Sequence, residues 1–308
     1  MDQPSHDLLK GNRASGNVIA EGGAGVEMRP RAPATHDATL YTRSCSRRPR
    51  GVVLTIPRTI PWVNRIRLDP FAAIGRLRAT TLPTPPATFT AVYSGDGANT
   101  LYPLVEQAIA AGWQVRLWCL TDPAHELERW TVGTGPGTRG AHLNRLAATA
   151  PSEHWLIQCD DDVAMQSRGL RDWIRLAVKL DLDITQPGQG VGSHAAHAIV
   201  RRSRRQLARV STFVEMGPLI AFSPQVRPHV PPLPEHGFGW GSELHLYDLH
   251  AQGFRLGIID AIHMWHLRPA ASLYDSAQEY AVMQAMLRER GLRGWDDVQH
   301  VIGIRRWV

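Results

Sequence analysis

Trp155-Leu156-Ile157-Gln158-Cys159-Asp160-Asp161-Asp162 decides how the rest of this 308-residue chain is read. A mainly apolar run with a tryptophan and a β-branched isoleucine fits a buried strand, and three adjacent carboxylates end it. Like charges in contact raise one another's pKa, so the triplet calls for a positive partner. Mg²⁺ or Mn²⁺ prefers oxygen ligands and keeps open positions for phosphate oxygens. Alternate side chains of a strand share a face, so Asp160 and Asp162 can converge while Asp161 points elsewhere.

The neighbouring sequence supplies a frame for this strand end. Upstream, Thr88–Tyr93 reads as a strand that stops at Ser94-Gly95-Asp96-Gly97. Leu101, Leu104, Val105, Ala108 and Ile109 then recur at helical spacing, and Gly112 closes that helix. A second strand, Trp113–Leu120, ends at Thr121-Asp122-Pro123; a Gly-rich link (Gly133 to Gly140) and a helix through Leu143, Leu146 and Ala147 lead to the quoted strand. This β-α-β-α-β order predicts parallel strands with right-handed crossovers and ligands at the carboxyl ends, where Asp96, Asp122 and Asp160 stand. Downstream, the pattern predicts a helix marked by Leu170, Trp173, Ile174, Ala177 and Val178, then a short strand at Asp183-Ile184-Thr185. A loop-rich stretch follows from Gln186 to Arg205, then strand-like pieces at Thr212–Met216 and Leu219–Phe222. A helix from Leu244 to Gln252, a strand over Arg255–Asp260 and a helix from Ser272 to Arg290 complete the expected elements.

Composition narrows the function classes. The chain is 43% hydrophobic, enough for a substantial core. Of its formal charge of +6, half lies in residues 1–50, an aperiodic Gly, Pro, Ala and Arg mixture read as a disordered leader. The remainder is weakly basic, so an anionic small ligand is expected and a nucleic acid is not. Three scattered cysteines with no CxxC pair give neither a zinc site nor a disulfide framework, which favours a reducing, cytoplasmic setting. No apolar run approaches the roughly 20 residues that span a bilayer, which leaves room only for a peripheral membrane contact. Walker A, GxGxxG and GxSxG signatures are absent. Arg201-Arg202-Ser203-Arg204-Arg205 reads as a solvated loop able to grip a diphosphate, and His194 and His197 read as non-ligands.

Two further clusters have chemistry that suits the triplet. Gly239-Trp240-Gly241-Ser242-Glu243 sets an aromatic, able to stack on a sugar ring, beside a carboxylate at a helix start, able to deprotonate a hydroxyl. A tight turn whose glutamate satisfies the helix dipole would look the same. His263-Met264-Trp265-His266 follows the strand ending at Asp260, and a neutral imidazole can complete a cation's shell, most readily for Mn²⁺.

From Ala87 to about Pro269 these motifs together resemble the GT-A glycosyltransferase superfamily, in a little-characterised, family-2-like branch. Leu143-Asn144-Arg145 is similar to the family's Asn-containing helix, Asp160-Asp161-Asp162 to its Asp-x-Asp element, and Gly239–Glu243 to its Gly-Trp-Gly-acid motif. Asp183–Pro187, Phe213–Met216 and Ile258–His266 resemble stretches of the same branch. The resemblance implies an α/β fold, a Rossmann-like mixed sheet flanked by helices. It also implies one catalytic domain over residues 51–308, with a nucleotide-binding half at about 87–165 and an acceptor half at about 166–308. It implies that Asp160, Asp162 and His266 hold Mn²⁺ or Mg²⁺, and that Ser94, Asp96, Asp122, Asn144, Asp160 and Asp161 lie along a UDP- or GDP-sugar donor. Trp240 and Gly241 would face a hydroxyl acceptor, with Glu243 as its general base in an inverting transfer. Many relatives carry a second acid after that glutamate, whereas Leu244 follows it here. A GT-A-shaped binder of nucleotide or glycan without turnover, and a nucleotidyltransferase, are the competing readings. The latter needs a basic Gly-rich loop where Ser94–Ala98 is acidic.

Overall fold

Strand β1 (Ala87–Tyr93) is buried along its whole length, as a parallel strand covered on both faces must be. It lies between β2 (Gln114–Cys119) and β4 (Trp155–Asp160), parallel to both, and β3 (Thr131–Thr134) extends the parallel set beyond β2. The structure is a computed structural model that describes residues 70–235, 239–269 and 276–306. The expected leader, the chain up to residue 69 and the first residues of the helix expected from Ser272 lie outside the described residues. Crossovers are made by α2 (Ala98–Ala110), which buries Leu101, Leu104, Val105 and Ala108, and by α3 (Arg139–Ala148). Thr138 caps α3 by accepting the Ala141 N–H at 3.2 Å.

On the other side of β4 the direction reverses. β8 (Leu219–Phe222) runs antiparallel to it, followed by β6 (Ile184–Gln189), β9 (Leu256–His266), β7 (Ala208–Ser211) and β10 (Val301–Arg305). β5 (Val163–Met165) pairs with β9 off this path, giving a mixed sheet of ten strands among the described residues. Helices α1 (Pro70–Ala79), α2 and α4 (Gly169–Lys179) share one apolar cluster with residues such as Leu101, Trp173 and Ile259. Helices α3, α5 (Glu243–Ala251) and α6 (Ser276–Glu289) share the other, around Leu143, Leu244 and Leu287. The sheet is thus flanked by helices in the α/β manner that the sequence predicts. No helix among the described residues is long and apolar enough to cross a membrane.

Several local expectations differ from the structure. The expected strand over Thr212–Met216 is instead irregular buried backbone, because side chains replace a ladder. Phe213 N–H donates to Ser211 Oγ, Glu215 N–H to Gln186 Oε1 and Met216 N–H to Glu243 Oε1. The neighbouring strand is Ala208–Ser211. Part of the loop expected from Gln186 is strand, with Pro187 accommodated at a register shift against β9. β9 continues six residues beyond the expected end at Asp260, to His266, and all but the last of its eleven residues are buried.

Asp260 secures the middle of that strand. Its fully buried carboxylate accepts Arg209 Nε and Nη2 at 2.8 and 2.9 Å and the Ser203 N–H at 2.7 Å. Burial pushes this carboxyl up, and Arg209 opposes the shift. Arg202 Nε also donates to the Asp260 carbonyl at 3.0 Å, so the basic run is tied to the sheet at one end while Arg204 and Arg205 stay exposed. Removing one partner leaves a buried charge uncompensated. Asp260→Ala is therefore expected to lower unfolding stability by about 3–5 kcal/mol in a urea titration; a loss below about 1 kcal/mol would mean that the pair is dispensable.

Candidate metal centre

The short β5–β9 ladder builds the site. Val163 stands opposite His266 in antiparallel register, and Leu267 N–H donates to the Asp162 carbonyl at 2.9 Å. His266 Nε2 consequently lies 3.3 Å from Asp162 Oδ2. One ligand atom each from Asp160, Asp162 and His266 falls within 4.8 Å of the other two. His266 Nδ1 faces the His194 carbonyl at 3.1 Å, so Nδ1 carries the hydrogen and Nε2 is the nitrogen turned to the carboxylates. Behind it, His266 N–H donates to Ser193 Oγ at 2.9 Å, and Ser193 donates to Gln189 Oε1 at 2.7 Å. Two carboxylates and one oriented imidazole suit Mn²⁺ or Mg²⁺, with the remaining positions left to a ligand or water.

Two arginines compensate the triplet. Arg139, from the first turn of α3, pairs with Asp160. Arg268 places Nη2 at 2.5 Å from Asp161 Oδ1 and Nε at 3.1 Å from Asp162 Oδ2. Burial would raise Asp162, but the contacts with His266 and Arg268 bring its carboxyl below the usual range. For His266 burial acts downward, yet Asp162 and Asp160 leave its imidazole above its ordinary value. Asp161 turns away from the other two and accepts the Ser94 N–H and hydroxyl at 2.9 and 3.0 Å. Burial raises its carboxyl, with the Ser94 bonds opposing. Gly97 makes room for it: a Cβ there would sit 2.1 Å from Asp161 Oδ2.

The Gly-Trp-Gly turn sets Glu243 at the start of α5. Gly239 and Gly241 adopt φ of +78° and +93°, a region that L side chains disfavour, and α5 starts directly after Ser242. Glu243 Oε1 accepts the Met216 N–H at 3.2 Å, while the Asp160 N–H donates to Pro218 O at 2.8 Å. The turn at 216–218 therefore stands between the general-base candidate and the triplet. Burial pushes the Glu243 carboxyl up. Leu244 is fully buried, which explains why an acid is absent there: it would enter the core.

The remaining predicted positions are spread more widely. Ser94 is half-buried against Asp161, whereas Asp96 and Asp122 are exposed at the ends of β1 and β2. Asn144 uses both ends of its amide on the Leu233 backbone, donating to its carbonyl at 2.8 Å and accepting its N–H at 2.9 Å. Trp240 is half-buried beside Gly241. Sequence reasoning passes over Arg139, Arg268 and Glu215. Arg268 alone carried a signal, being two residues beyond His266. Glu215 is buried, hydrogen-bonded to Gln189 and close enough to Glu243 to feel its charge; burial, then Glu243, pushes it up to about 8.

Fold and site together define an α/β protein with a cation-competent cluster at the carboxyl end of its parallel strands. No protein-family model and no curated protein sequence matches the chain. Among solved structures, GalNAc-T7 with UDP, GalNAc and Mn²⁺ aligns over 66% of this chain and 48% of its own, at 12% identity and a TM-score of 0.46. This chain thus spans about half the length of that one. TarS 1-349 of S. aureus in complex with UDP-GlcNAc aligns over 66% of each chain at 11% identity and a TM-score of 0.47. A mycobacterial protein aligns over 72% of this chain and 80% of its own, at 12% identity and 0.46. All three are distant likenesses.

Glu215 generates a prediction about stability. Its carboxyl rises from an ordinary 4.5 to about 8 on folding, so between those values the native state binds the extra proton. Stability is then greatest at or below pH 4.5 as far as this group is concerned, and falls as pH rises toward about 8. The slope approaches about 1.4 kcal/mol per pH unit. Glu215→Gln should flatten this part of the stability–pH curve in denaturant titrations; an unchanged slope would show that the carboxyl is ionised in the native protein.

Proposed function

We propose that this protein is a metal-dependent glycosyltransferase that moves a sugar from a nucleotide-diphosphate donor to a hydroxyl acceptor with inversion. The observation that carries the reading is the convergence of Asp160, Asp162 and His266 at the end of β4. Those residues would hold Mn²⁺ or Mg²⁺, which neutralises charge developing on a departing diphosphate. Asp161 and Gly97 hold the turn after β1 against the triplet, so Ser94 and Asp96 border the place where the nucleoside would lie. Arg139 balances the charge of Asp160. Glu243 would take the acceptor hydroxyl proton, with its carboxylate fixed by the Met216 N–H and its raised pKa improving its strength as a base. Trp240 would lend an apolar face to the acceptor's ring. UDP- and GDP-sugars are the donor classes to test.

A binding protein without turnover is the second reading, favoured by one observation: Glu243 also serves as a helix-start acceptor of backbone N–H groups. Release of free nucleotide diphosphate separates the two. Donor screening with Mn²⁺ is expected to give turnover that Asp162→Asn abolishes and Glu243→Gln lowers by about 10²–10⁴-fold, with donor affinity retained in the latter. Undiminished metal-dependent release by Asp162→Asn would sink the metal assignment; nucleotide binding without any release would favour the binder. Because burial raises Glu243, the acidic limb of the kcat profile should have its midpoint above 4.5.

A further inference from the structure

Arg268 occupies the ground that a cation would need. Its Nε approaches Asp162 Oδ2 at 3.1 Å, and His266 Nε2 approaches that same oxygen at 3.3 Å. Arg268 Nε thus takes one of the about two lone-pair sites that Asp162 Oδ2 offers, and His266 Nε2 crowds the same oxygen. Asp162 is buried and cannot turn to solvent for another arrangement. The second arm of the guanidinium holds Asp161 Oδ1 at 2.5 Å, so the side chain bridges two consecutive carboxylates.

Charge leads to the same conclusion. Three carboxylates face two guanidiniums, Arg139 and Arg268, which leaves one negative charge among these groups. A dication added to this set overshoots neutrality; a dication taken in exchange for one guanidinium balances it. Of the two arginines, Arg268 is the one able to leave. Its side chain is 45% exposed against 25% for Arg139, and Arg139 sits on the first turn of a capped helix.

We propose that Arg268 is an internal counter-ion that exchanges with the divalent cation, holding Asp161 and Asp162 in the free protein and releasing them when the cation binds. Once released, it remains beside the centre as a positive fork available to an anion bound there. Cation and nucleoside diphosphate then bind with positive coupling, because the anion offers the displaced guanidinium a new partner. The inference rests on the metal reading above and adds a competitor to it.

The test is a titration of Mn²⁺, followed by the electron paramagnetic resonance signal of the free ion, with and without UDP. Wild type is expected to bind Mn²⁺ weakly alone and more tightly with UDP. Arg268→Ala should bind Mn²⁺ alone on the order of tenfold more tightly, and its gain from added UDP should shrink. Arg268→Lys keeps a charge near the carboxylates and should fall between the two. Arg268→Gln, with thermal melting as a check on folding, carries the same test if the alanine variant is unstable. Mn²⁺ affinity in the neutral variants equal to or below that of wild type would overturn the exchange while leaving the metal site in place. Failure of every protein to bind Mn²⁺, even with UDP, would overturn the metal reading and the exchange with it.

Discussion

The pairing of β5 with the far end of β9 is the constraint on which the site depends. Only three residues of β5 take part, yet their antiparallel register sets His266 beside Asp162. The ladder works because β9 is long and held elsewhere. Its first part is clamped between β6 and β7, and the buried Asp260–Arg209 pair fixes the middle. At about 3.3 Å per residue, eleven residues carry the chain roughly 36 Å, far enough to join the core of the sheet to the strand after the triplet. Strand register thus brings His266 within reach of two carboxylates.

Charge compensation organises everything around that contact. Each carboxylate near the centre has a named partner: Arg139 for Asp160, Ser94 and Arg268 for Asp161, His266 and Arg268 for Asp162, the Met216 N–H for Glu243. Glu215 differs, since burial favours its neutral form and its neighbour Gln189 is an amide. Burial raises both Glu215 and Glu243, and the charge of Glu243 adds to the rise of Glu215. Ser193 and Gln189 extend the arrangement from Glu215 to the backbone of His266, which links the buried acid to the Asp160–Asp162–His266 cluster through hydrogen bonds.

Strands β1, β2 and β4 were legible because their signals are local: apolar runs, helical spacing between them and glycines after β1 and α2; β3 was not, since it overlaps the stretch read as a Gly-rich link. The convergence of Asp160 and Asp162 was expected too, but β4 ends at Asp160 and Asp162 lies in the turn before β5, so strand alternation is not its cause. What stayed hidden is non-local. β5 is three residues long and makes sense only opposite Met264–His266. Phe213–Met216 has the alternation of a strand, but Ser211, Gln186 and Glu243 take the N–H groups that a neighbouring strand would have used. Asn144 looks like a ligand-facing polar residue on a helix, and only the fold brings Leu233 to both ends of its amide. Arg139 was invisible, and Arg268 was marked only by its nearness to His266, for the same reason: they answer charges that sit 21 and more than 100 positions away.

The central claim is that three side chains gathered by strand register form one cation site. Anomalous scattering from a crystal of the protein soaked with Mn²⁺ and UDP tests it most directly. A single strong peak in bonding contact with carboxylate oxygens of Asp160 or Asp162 and with His266 Nε2 is the result expected. A bound nucleotide with no anomalous peak in that space, or with Mn²⁺ held by other residues, would contradict it.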